Sequence, residues 1–132
     1  MGRVVPEYAF ATPPQEAAEQ GMTQYEIWWV SQPEPVGRRP VLLMSRDSAY
    51  EVLNKFMVAE ITTRIRGIPQ EVRLGTREGL PSPSVANMDN VRTVHRSAFL
   101  ERAGGLSRRR VPEVKAALGH ALCWPELITD EP

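Results

Sequence analysis

Short segments in which apolar and polar residues alternate, separated by proline, glycine or asparagine, restrict this chain to a small β-rich fold. The clearest of them covers residues 56–64, whose side chains should point alternately to the two faces of a sheet. One predicted face is apolar and the other polar: Met57, Ala59 and Ile61 against Glu60, Thr62 and Arg64. A strand with one apolar face needs a core to cover that face, so the segment predicts a half-buried strand of a small sheet.

The remaining segments extend this sheet. Further strands are expected at residues 25–31, 41–45, 70–74, 84–88 and 91–94, with a small strand or turn at 101–106. Asp47 or Ser48 should cap a short helix that ends near Leu53, and Ser107 should cap a C-terminal helix that continues to about Cys123. Many short strands and few helices predict a mainly β (α+β) fold, with a small barrel or sandwich-like core, short helices and a C-terminal helix.

The length of 132 residues fits one domain with irregular ends. Residues 1–22 contain Pro6, Pro13 and Pro14 and show no sustained periodicity, so we expect a flexible N-terminal arm. Residues 23–123 should form the domain, and residues 124–132 an acidic C-terminal tail.

Several classes of protein are disfavoured by the composition. The single cysteine, Cys123, cannot form an internal disulfide, and we interpret it as a small apolar residue near the last helix. No His/Cys cluster has the spacing of a metal site, so no metal or other cofactor is expected. No apolar run approaches the roughly 18 residues of a membrane span, and no secretory signal is recognisable. We therefore expect a cytoplasmic protein without membrane contact.

The charge is unevenly distributed, although the formal net charge is zero. Residues 36–115 carry 15 of the 16 Lys and Arg residues but 8 of the 16 Asp and Glu residues. Most of these bases are arginine, which binds phosphate bidentately and stacks on nucleic-acid bases. A basic centre between acidic ends is typical of a nucleic-acid-binding surface, and a GC-rich genome explains the preference for arginine over lysine equally well.

Arg39, Thr62 and Glu60 are the residues best placed to contact a phosphate. Arg39 precedes Pro40 where a loop enters a strand, so a rigid element should fix a guanidinium able to bind phosphate bidentately. Thr62 could hydrogen-bond a phosphate oxygen, and Glu60, on the same polar face, could orient Arg39 or accept a proton. From spacing alone, an exposed ion pair and an ordinary strand threonine explain these residues at least as well.

Four segments, taken in order, resemble the MazF/PemK family of toxin endoribonucleases. They are EIWWV at 26–30, GRRPVLLMS at 37–45, AEIT at 59–62 followed by Arg64-x-Arg66-Gly67, and MDNVRTV at 88–94. Each motif alone is weakly specific, and their order and approximate spacing make the resemblance. It covers about residues 25–122.

The resemblance implies an SH3-like β-barrel, a homodimer, and metal-independent, sequence-selective cleavage of single-stranded RNA by transesterification. It also implies a cognate antitoxin protein that holds the toxin inactive. By this resemblance the catalytic residues are Arg39, which takes part in proton transfer and phosphate binding, and Thr62, which stabilises the pentacovalent phosphorus. Because the pKa of a free guanidinium exceeds about 12, electrostatic stabilisation is the safer role for Arg39.

Further residues are candidates for catalytic support or for RNA binding. Glu60 is one candidate for support, and Asp89 is the other, because it matches the acid of a plasmid-borne branch of the family. That branch uses an arginine two residues earlier, where this chain has Asn87. Trp28 and Trp29 are adjacent on a strand, so one should face inwards and the other outwards, where it could stack on a base. The candidate RNA-binding residues are Ser45, Arg64, Arg66, Arg92 and Trp29.

Two other functions stay open at this point. The same barrel resembles CcdB-type toxins, which inhibit DNA gyrase by protein contact. Those toxins need an apolar C-terminal end, which Trp124 and Ile128 match only weakly. A catalytically weak homologue that binds only RNA or an antitoxin would keep the same fold and the same residues.

Overall fold

The computed structural model describes residues 21–128, and its main element is an antiparallel sheet of six strands. The strands are β1 (Glu26–Ser31), β2 (Arg38–Leu43), β3 (Lys55–Thr62), β4 (Glu71–Leu74), β5 (Ser84–His95) and β6 (Phe99–Gly105). Their order across the sheet is β4-β5-β3-β2-β1-β6. The prediction of a mainly β fold is confirmed.

The helices are α1 (Ala49–Val52), α2 (Val111–Leu122) and α3 (Pro125–Ile128), with single 3-10 turns at Thr76–Glu78, Arg96–Ala98 and Arg108–Arg110. The predicted cap at Ser107 is wrong, because the 3-10 turn separates this residue from α2. Pro112 lies in the first turn of α2, where a missing N–H needs no partner. Among residues 21–128, no helix is both long enough and apolar enough to cross a membrane.

The two faces of the sheet are covered by two different apolar clusters. The first cluster is built around aromatic residues, with ring centroids 4.8 Å apart for Tyr50 and Phe56 and 5.5 Å apart for Phe56 and Phe99. The second cluster lies on the opposite face, where Val114 and Ala117 of α2 pack on the strands. We refer to these faces as the aromatic face and the helix face.

The central strand β3 contributes apolar residues to both faces. Phe56 and Val58 belong to the cluster on the aromatic face, and Ile61 belongs to the cluster on the helix face. Met57 is 47% exposed, so the predicted apolar face of this strand is wrong at its first residue. A strand covered on both sides needs apolar residues on both faces, and a simple alternation therefore describes only part of it.

The strand β5 joins the strands predicted at 84–88 and 91–94 into one strand of 12 residues. Its pairing with β3 jumps from Asn87, opposite Glu60, to Val91, opposite Ala59. Residues 88–90 have no partner on β3 and form a bulge. Asp89 and Asn90, which lie between the two predicted strands, are part of this bulge.

The sheet is not closed into a barrel within residues 21–128, because β4 and β6 are its two edges. These edges still approach each other through the turn that follows β4. A Cβ atom on Gly79 would lie 2.1 Å from the carbonyl oxygen of Ala103, and one on Gly104 would lie 2.1 Å from that of Glu78. Only glycine allows so close a backbone contact, and Gly79 also has a left-handed φ of 94°.

The ends of the described chain differ in part from the sequence prediction. Met22 was assigned to the arm but is buried in the cluster on the aromatic face. The tail begins as α3, which packs so closely on α2 that a Cβ atom on Gly119 would lie 2.8 Å from Cγ1 of Ile128. Cys123 lies at the end of α2, near the last helix as predicted, and is exposed. The predicted arm at 1–20 and the tail at 129–132 lie outside the described residues.

Candidate active site

A polar cleft of about 360 Å³ opens on the aromatic face of the sheet. It lies next to the apolar cluster of that face, beyond the last apolar residues. Its lining comes from β2, β3, β5 and two loops: Gln32, Val36, Arg39, Glu60, Thr62, Arg64, Arg66, Asn87 and Asn90. Three of these residues are arginines and one is a glutamate. The lining therefore carries an excess of positive charge and favours an anionic ligand.

The register of the sheet explains why these polar residues meet. Val41, Glu60, Asn87 and Glu71 lie opposite one another on four neighbouring strands. Side chains directly opposite in a sheet point to the same face, and Val41 belongs to the aromatic cluster. The row thus passes from the apolar core into the polar cleft.

Arg39 and Thr62 are neighbours across β2 and β3. Val41 pairs with Glu60 in an antiparallel register, so the next residues on the same face are Arg39 and Thr62. Both residues line the cleft and also a smaller adjoining hollow of about 170 Å³. The guanidinium of Arg39 forms no hydrogen bond or ion pair with any of residues 21–128, which leaves it available to an anion.

The hydroxyl of Thr62 is held by the backbone that follows it. Its Oγ1 accepts a hydrogen bond of 3.0 Å from the N–H of Arg64. A threonine hydroxyl has one donor and two acceptor positions, so the proton is left to donate to a ligand. A phosphate bound between Arg39 and Thr62 would receive both a charged and a neutral donor.

Glu60 does not orient Arg39, as the sequence suggested it could. Its Oε2 instead accepts a hydrogen bond from Nε of Arg92 in an ion pair, and the two side chains are 33% and 36% exposed, respectively. The pair neutralises Arg92, a candidate RNA-binding residue. Oε1 of Glu60 accepts no hydrogen bond from residues 21–128, so one carboxylate oxygen is free in the cleft.

The loop after β3 brings Arg64 and Arg66 to the cleft. The carboxylate of Glu71 holds this loop, because it accepts hydrogen bonds from the N–H of Arg66 at 3.2 Å and from that of Gly67 at 2.9 Å. Both arginine residues are exposed. Their contact with RNA stays a prediction, and their position at the cleft supports it.

Trp28 is buried and Trp29 is partly exposed, as expected from their alternation on β1. Trp29 lines the smaller hollow together with Arg39 and Thr62. The guanidinium of Arg38 lies 4.6 Å from the centroid of the Trp29 ring and forms an ion pair of 2.7 Å with Glu101. Because Arg38 covers one face of the ring, a base could stack only on the other face.

Ser45 and Asp89 do not line the cleft. Ser45 lies beyond the end of β2 opposite to Arg39, and its Oγ accepts a hydrogen bond of 2.8 Å from the N–H of Met57. Asp89 is exposed in the bulge of β5. The predicted roles of these two residues gain no support from the geometry.

The structure adds Asn87, Asn90 and Gln32 to the cleft, none of which the sequence analysis placed there. A signal for Asn87 was present, since it lies between the apolar residues Ala86 and Met88 in a strand. A polar side chain inside a buried strand needs a hydrogen-bond partner or a ligand. Residues 21–128 contain no group of three or more His, Cys, Asp or Glu side chains that could hold a metal ion.

The comparison with known proteins decides the family. Residues 23–122 match the model of a family described as PemK-like, MazF-like toxin of type II toxin-antitoxin system. The chain belongs to the PemK/MazF family. The resemblance drawn from the four sequence segments is thereby confirmed, and the match extends over the whole sheet and α2.

Named members of the PemK/MazF family are similar in sequence and in structure. The probable endoribonuclease MazF5 of Mycobacterium tuberculosis is 38% identical over 94 residues, which cover 70% of this chain and 85% of that protein. The probable endoribonuclease MazF2 of the same species is 36% identical over 93 residues, which cover 70% and 89%. The solved structure of the toxin MazF-mt6 of M. tuberculosis matches with a TM-score of 0.69 at 31% identity, covering 74% and 96% of the two chains.

A complex of MazE with MazF from Deinococcus radiodurans (Form II) matches with a TM-score of 0.64 at 27% identity, covering 76% of this chain and 94% of that one. These PemK/MazF relatives are named as endoribonucleases and toxins. They support a nuclease over a gyrase-binding toxin of the CcdB type.

Proposed function

We propose that this chain is the toxin of a toxin–antitoxin pair and cleaves single-stranded RNA at selected sequences by transesterification, without a metal. The observation that carries the proposal is Arg39, whose guanidinium has no partner among residues 21–128 and lies beside Thr62 in a basic cleft. Membership of the PemK/MazF family supports it, as do the names of the relatives.

The reaction needs charge stabilisation at one phosphate. The 2′-oxygen attacks the adjacent phosphorus and the bond from phosphorus to the 5′-oxygen breaks, which leaves a 2′,3′-cyclic phosphate and a 5′-hydroxyl. Negative charge grows on the two non-bridging oxygens in the five-coordinate transition state, and positioned donors stabilise it there. Arg39 would bind these oxygens with its guanidinium, and Thr62 would donate its hydroxyl proton to one of them.

Two protons also move in this reaction, one from the 2′-hydroxyl and one to the 5′-oxygen. A guanidinium offers donors and no acceptor, so the role proposed for Arg39 is electrostatic. Among residues 21–128, Glu60 is the only carboxylate that lines the cleft, and its free Oε1 makes it the proposed acceptor of the 2′-hydroxyl proton. Water supplies the proton that the leaving 5′-oxygen takes up.

The test is cleavage of a long single-stranded RNA in the presence of EDTA, with the 5′ ends mapped by primer extension. The substitution Arg39→Ala should slow cleavage by about 10²- to 10³-fold, the usual effect of removing one donor to transition-state charge. Arg46→Ala is the matched control, because Arg46 is exposed, contacts Ser48 and does not line the cleft. A folded Arg39→Ala protein that cleaves at the rate of the wild type would refute the assignment.

The proposed homodimer and location rest on the family, and the proposed antitoxin contact rests on the charge of the cleft. We propose that the toxin acts in the cytoplasm as a homodimer, and that its antitoxin places an acidic, partly disordered segment in the arginine-lined cleft. Such a segment would compete with RNA for Arg39, Arg64 and Arg66. Its affinity should fall with rising salt concentration, because exposed charges attract it.

A further inference from the structure

The side chain of Asn87 is buried but incompletely hydrogen-bonded. Asn87 is 6% exposed, and its Oδ1 accepts a hydrogen bond of 2.8 Å from the N–H of Asp89. Because a backbone N–H can only donate, the atom that faces it must be the amide oxygen, and the NH₂ group lies on the other side. Among residues 21–128, no acceptor binds this NH₂ group, although Asn87 lines the cleft.

An unpaired donor at this position calls for a ligand. The large majority of buried side-chain polar atoms in proteins have a hydrogen-bond partner. Asn87 lies opposite Glu60, two residues along β3 from Thr62 and on the same face of the sheet. That spacing is about 7 Å along the strand, so the amide lies next to the phosphate site proposed at Arg39 and Thr62.

The surroundings of the amide disfavour a phosphate and allow a neutral acceptor. Asn87 lies between Glu60 and Glu71 in the row across the sheet. Glu60 is paired with Arg92, and Glu71 is bound to the backbone of the Arg66 loop. Glu71 forms no ion pair with any of residues 21–128, so its charge would repel a second anion at the Asn87 amide, whereas the carbonyl oxygen of a base would not be repelled.

We propose that the NH₂ group of Asn87 donates a hydrogen bond to O4 of a uracil or O6 of a guanine beside the cleaved bond. This inference rests on the proposed RNA cleavage and adds a specificity-determining residue to it. Because Oδ1 is already engaged by Asp89, Asn87 offers only donors to the ligand. At these positions uracil and guanine carry a keto oxygen, whereas cytosine and adenine carry an NH₂ group. A base NH₂ group that faced the NH₂ group of Asn87 would place two donors against each other.

The experiment compares three proteins on a randomised single-stranded RNA library, with the cut sites sequenced from their 5′-hydroxyl ends. The wild type should require uracil or guanine at one position next to the cut. Asn87→Ala should relax this preference by about 10- to 100-fold, the usual discrimination by direct hydrogen bonding to a base. Asn87→Asp keeps an acceptor for the N–H of Asp89 but replaces the donor by an acceptor, so it should shift the preference towards cytosine or adenine.

Asn90→Asp is the matched control. Asn90 lines the same cleft but is exposed, so the substitution adds the same charge without changing a buried donor. It should slow cleavage at all sites alike and leave the preferred bases unchanged. Circular dichroism and thermal unfolding would establish that each variant is folded.

Either of two results would overturn the proposal. If both Asn87 variants keep the motif of the wild type, or lose rate equally at all sites, the amide does not recognise a base.

A wild type that makes no cuts would refute the proposed nuclease instead. In that case, the affinities of oligo(U) and oligo(I), which carry keto groups, are compared with those of oligo(C) and oligo(A), which carry amino groups. An unchanged ratio in Asn87→Asp would then refute the role of Asn87.

Discussion

The substitution Glu60→Gln should strengthen RNA binding and slow cleavage at the same time. It keeps the shape of the side chain and removes the one negative charge that residues 21–128 contribute to the cleft lining. It also releases Arg92 from its ion pair. Both changes favour the binding of phosphate, whereas the chemical step loses its proposed proton acceptor.

The size of the binding effect follows from the position of Glu60 on β3. Residues two apart on one face of a strand are about 7 Å apart, which places Glu60 at about that distance from a phosphate at Thr62. Two unit charges repel at this distance by about 0.6 kcal/mol in bulk water and by about 2.4 kcal/mol at an effective dielectric constant of 20. With its side chain 33% exposed, Glu60 lies between these limits. We expect about 1 kcal/mol, which is about a fivefold decrease in Kd.

The effect on the rate has the opposite sign. A positioned general base contributes about 10²- to 10⁴-fold to a proton transfer. Arg92 engages Oε2 of Glu60, so only Oε1 is left to accept the proton. We therefore expect Glu60→Gln to slow cleavage of bound RNA by about 10²-fold, the lower end of that range.

Two measurements separate these effects. Fluorescence anisotropy with an oligonucleotide that lacks the 2′-hydroxyl at the cut site gives Kd, and single-turnover cleavage of the matching RNA gives the rate. The slope of log Kd against log salt should steepen by about 0.7, the value for one more contact with a single-stranded phosphate. The matched control is Glu113→Gln, which releases Arg110 from an ion pair at the start of α2, away from the cleft.

Each part of the reasoning can fail separately. An unchanged Kd would mean that no phosphate binds near Glu60, and the placement of the substrate between Arg39 and Thr62 would then be wrong. A rate within a few-fold of the wild type, with tighter binding, would remove Glu60 from the proton transfer and leave the electrostatic argument intact.

Two further predictions concern stability. Gly79→Ala should lower the free energy of unfolding in urea by about 3 kcal/mol through backbone strain and overpacking, since its Cβ would lie 2.1 Å from the Ala103 oxygen at a φ of 94°. Gly75→Ala has no atom within 4 Å of its Cβ and should change the stability little; equal losses in both variants would refute the close contact. Hydrogen bonding to Arg110 lowers the pKa of Glu113 below its ordinary value of 4.5, so this pair stabilises the fold above that pH and stops doing so as the pH falls through the lowered pKa. The difference in unfolding midpoint between wild type and Glu113→Gln should therefore vanish in acid; a difference that persists at low pH would contradict it.

The sequence predicts the strands better than it predicts their faces. The alternation in residues 56–64 located β3 to within about two residues, but it assigned Met57 to the core. The reason is that β3 lies between two strands and carries parts of two clusters. Which face of such a strand is covered at each position depends on partners that are distant in the sequence.

The candidate site was predictable where it depended on motifs and not where it depended on register. Arg39 and Thr62 were predicted because their segments resemble the PemK/MazF family, and in the sheet they lie side by side. The pairing of Glu60 with Arg92 depends on the bulge of β5, and nothing local to residues 88–94 fixes how a bulge aligns with β3. Asn87 has a local signature, an Asn whose side chain accepts from the N–H two residues later, that also occurs in ordinary turns.

The bulge at residues 88–90 lies between the cleft residues of β5 and the part of this strand that packs in the aromatic core. In a regular strand, a one-residue insertion or deletion would turn every following side chain to the opposite face. Here the residues from Val91 onwards pair with β3 again after three unpaired residues, so a change in length can be taken up in the bulge. Asn90 and the N–H of Asp89, which holds Asn87, can therefore vary in position without disturbing Val94 in the aromatic core. If the proposed base contact of Asn87 holds, a change in the bulge would alter the preferred RNA sequence and leave the packing of the aromatic core unchanged.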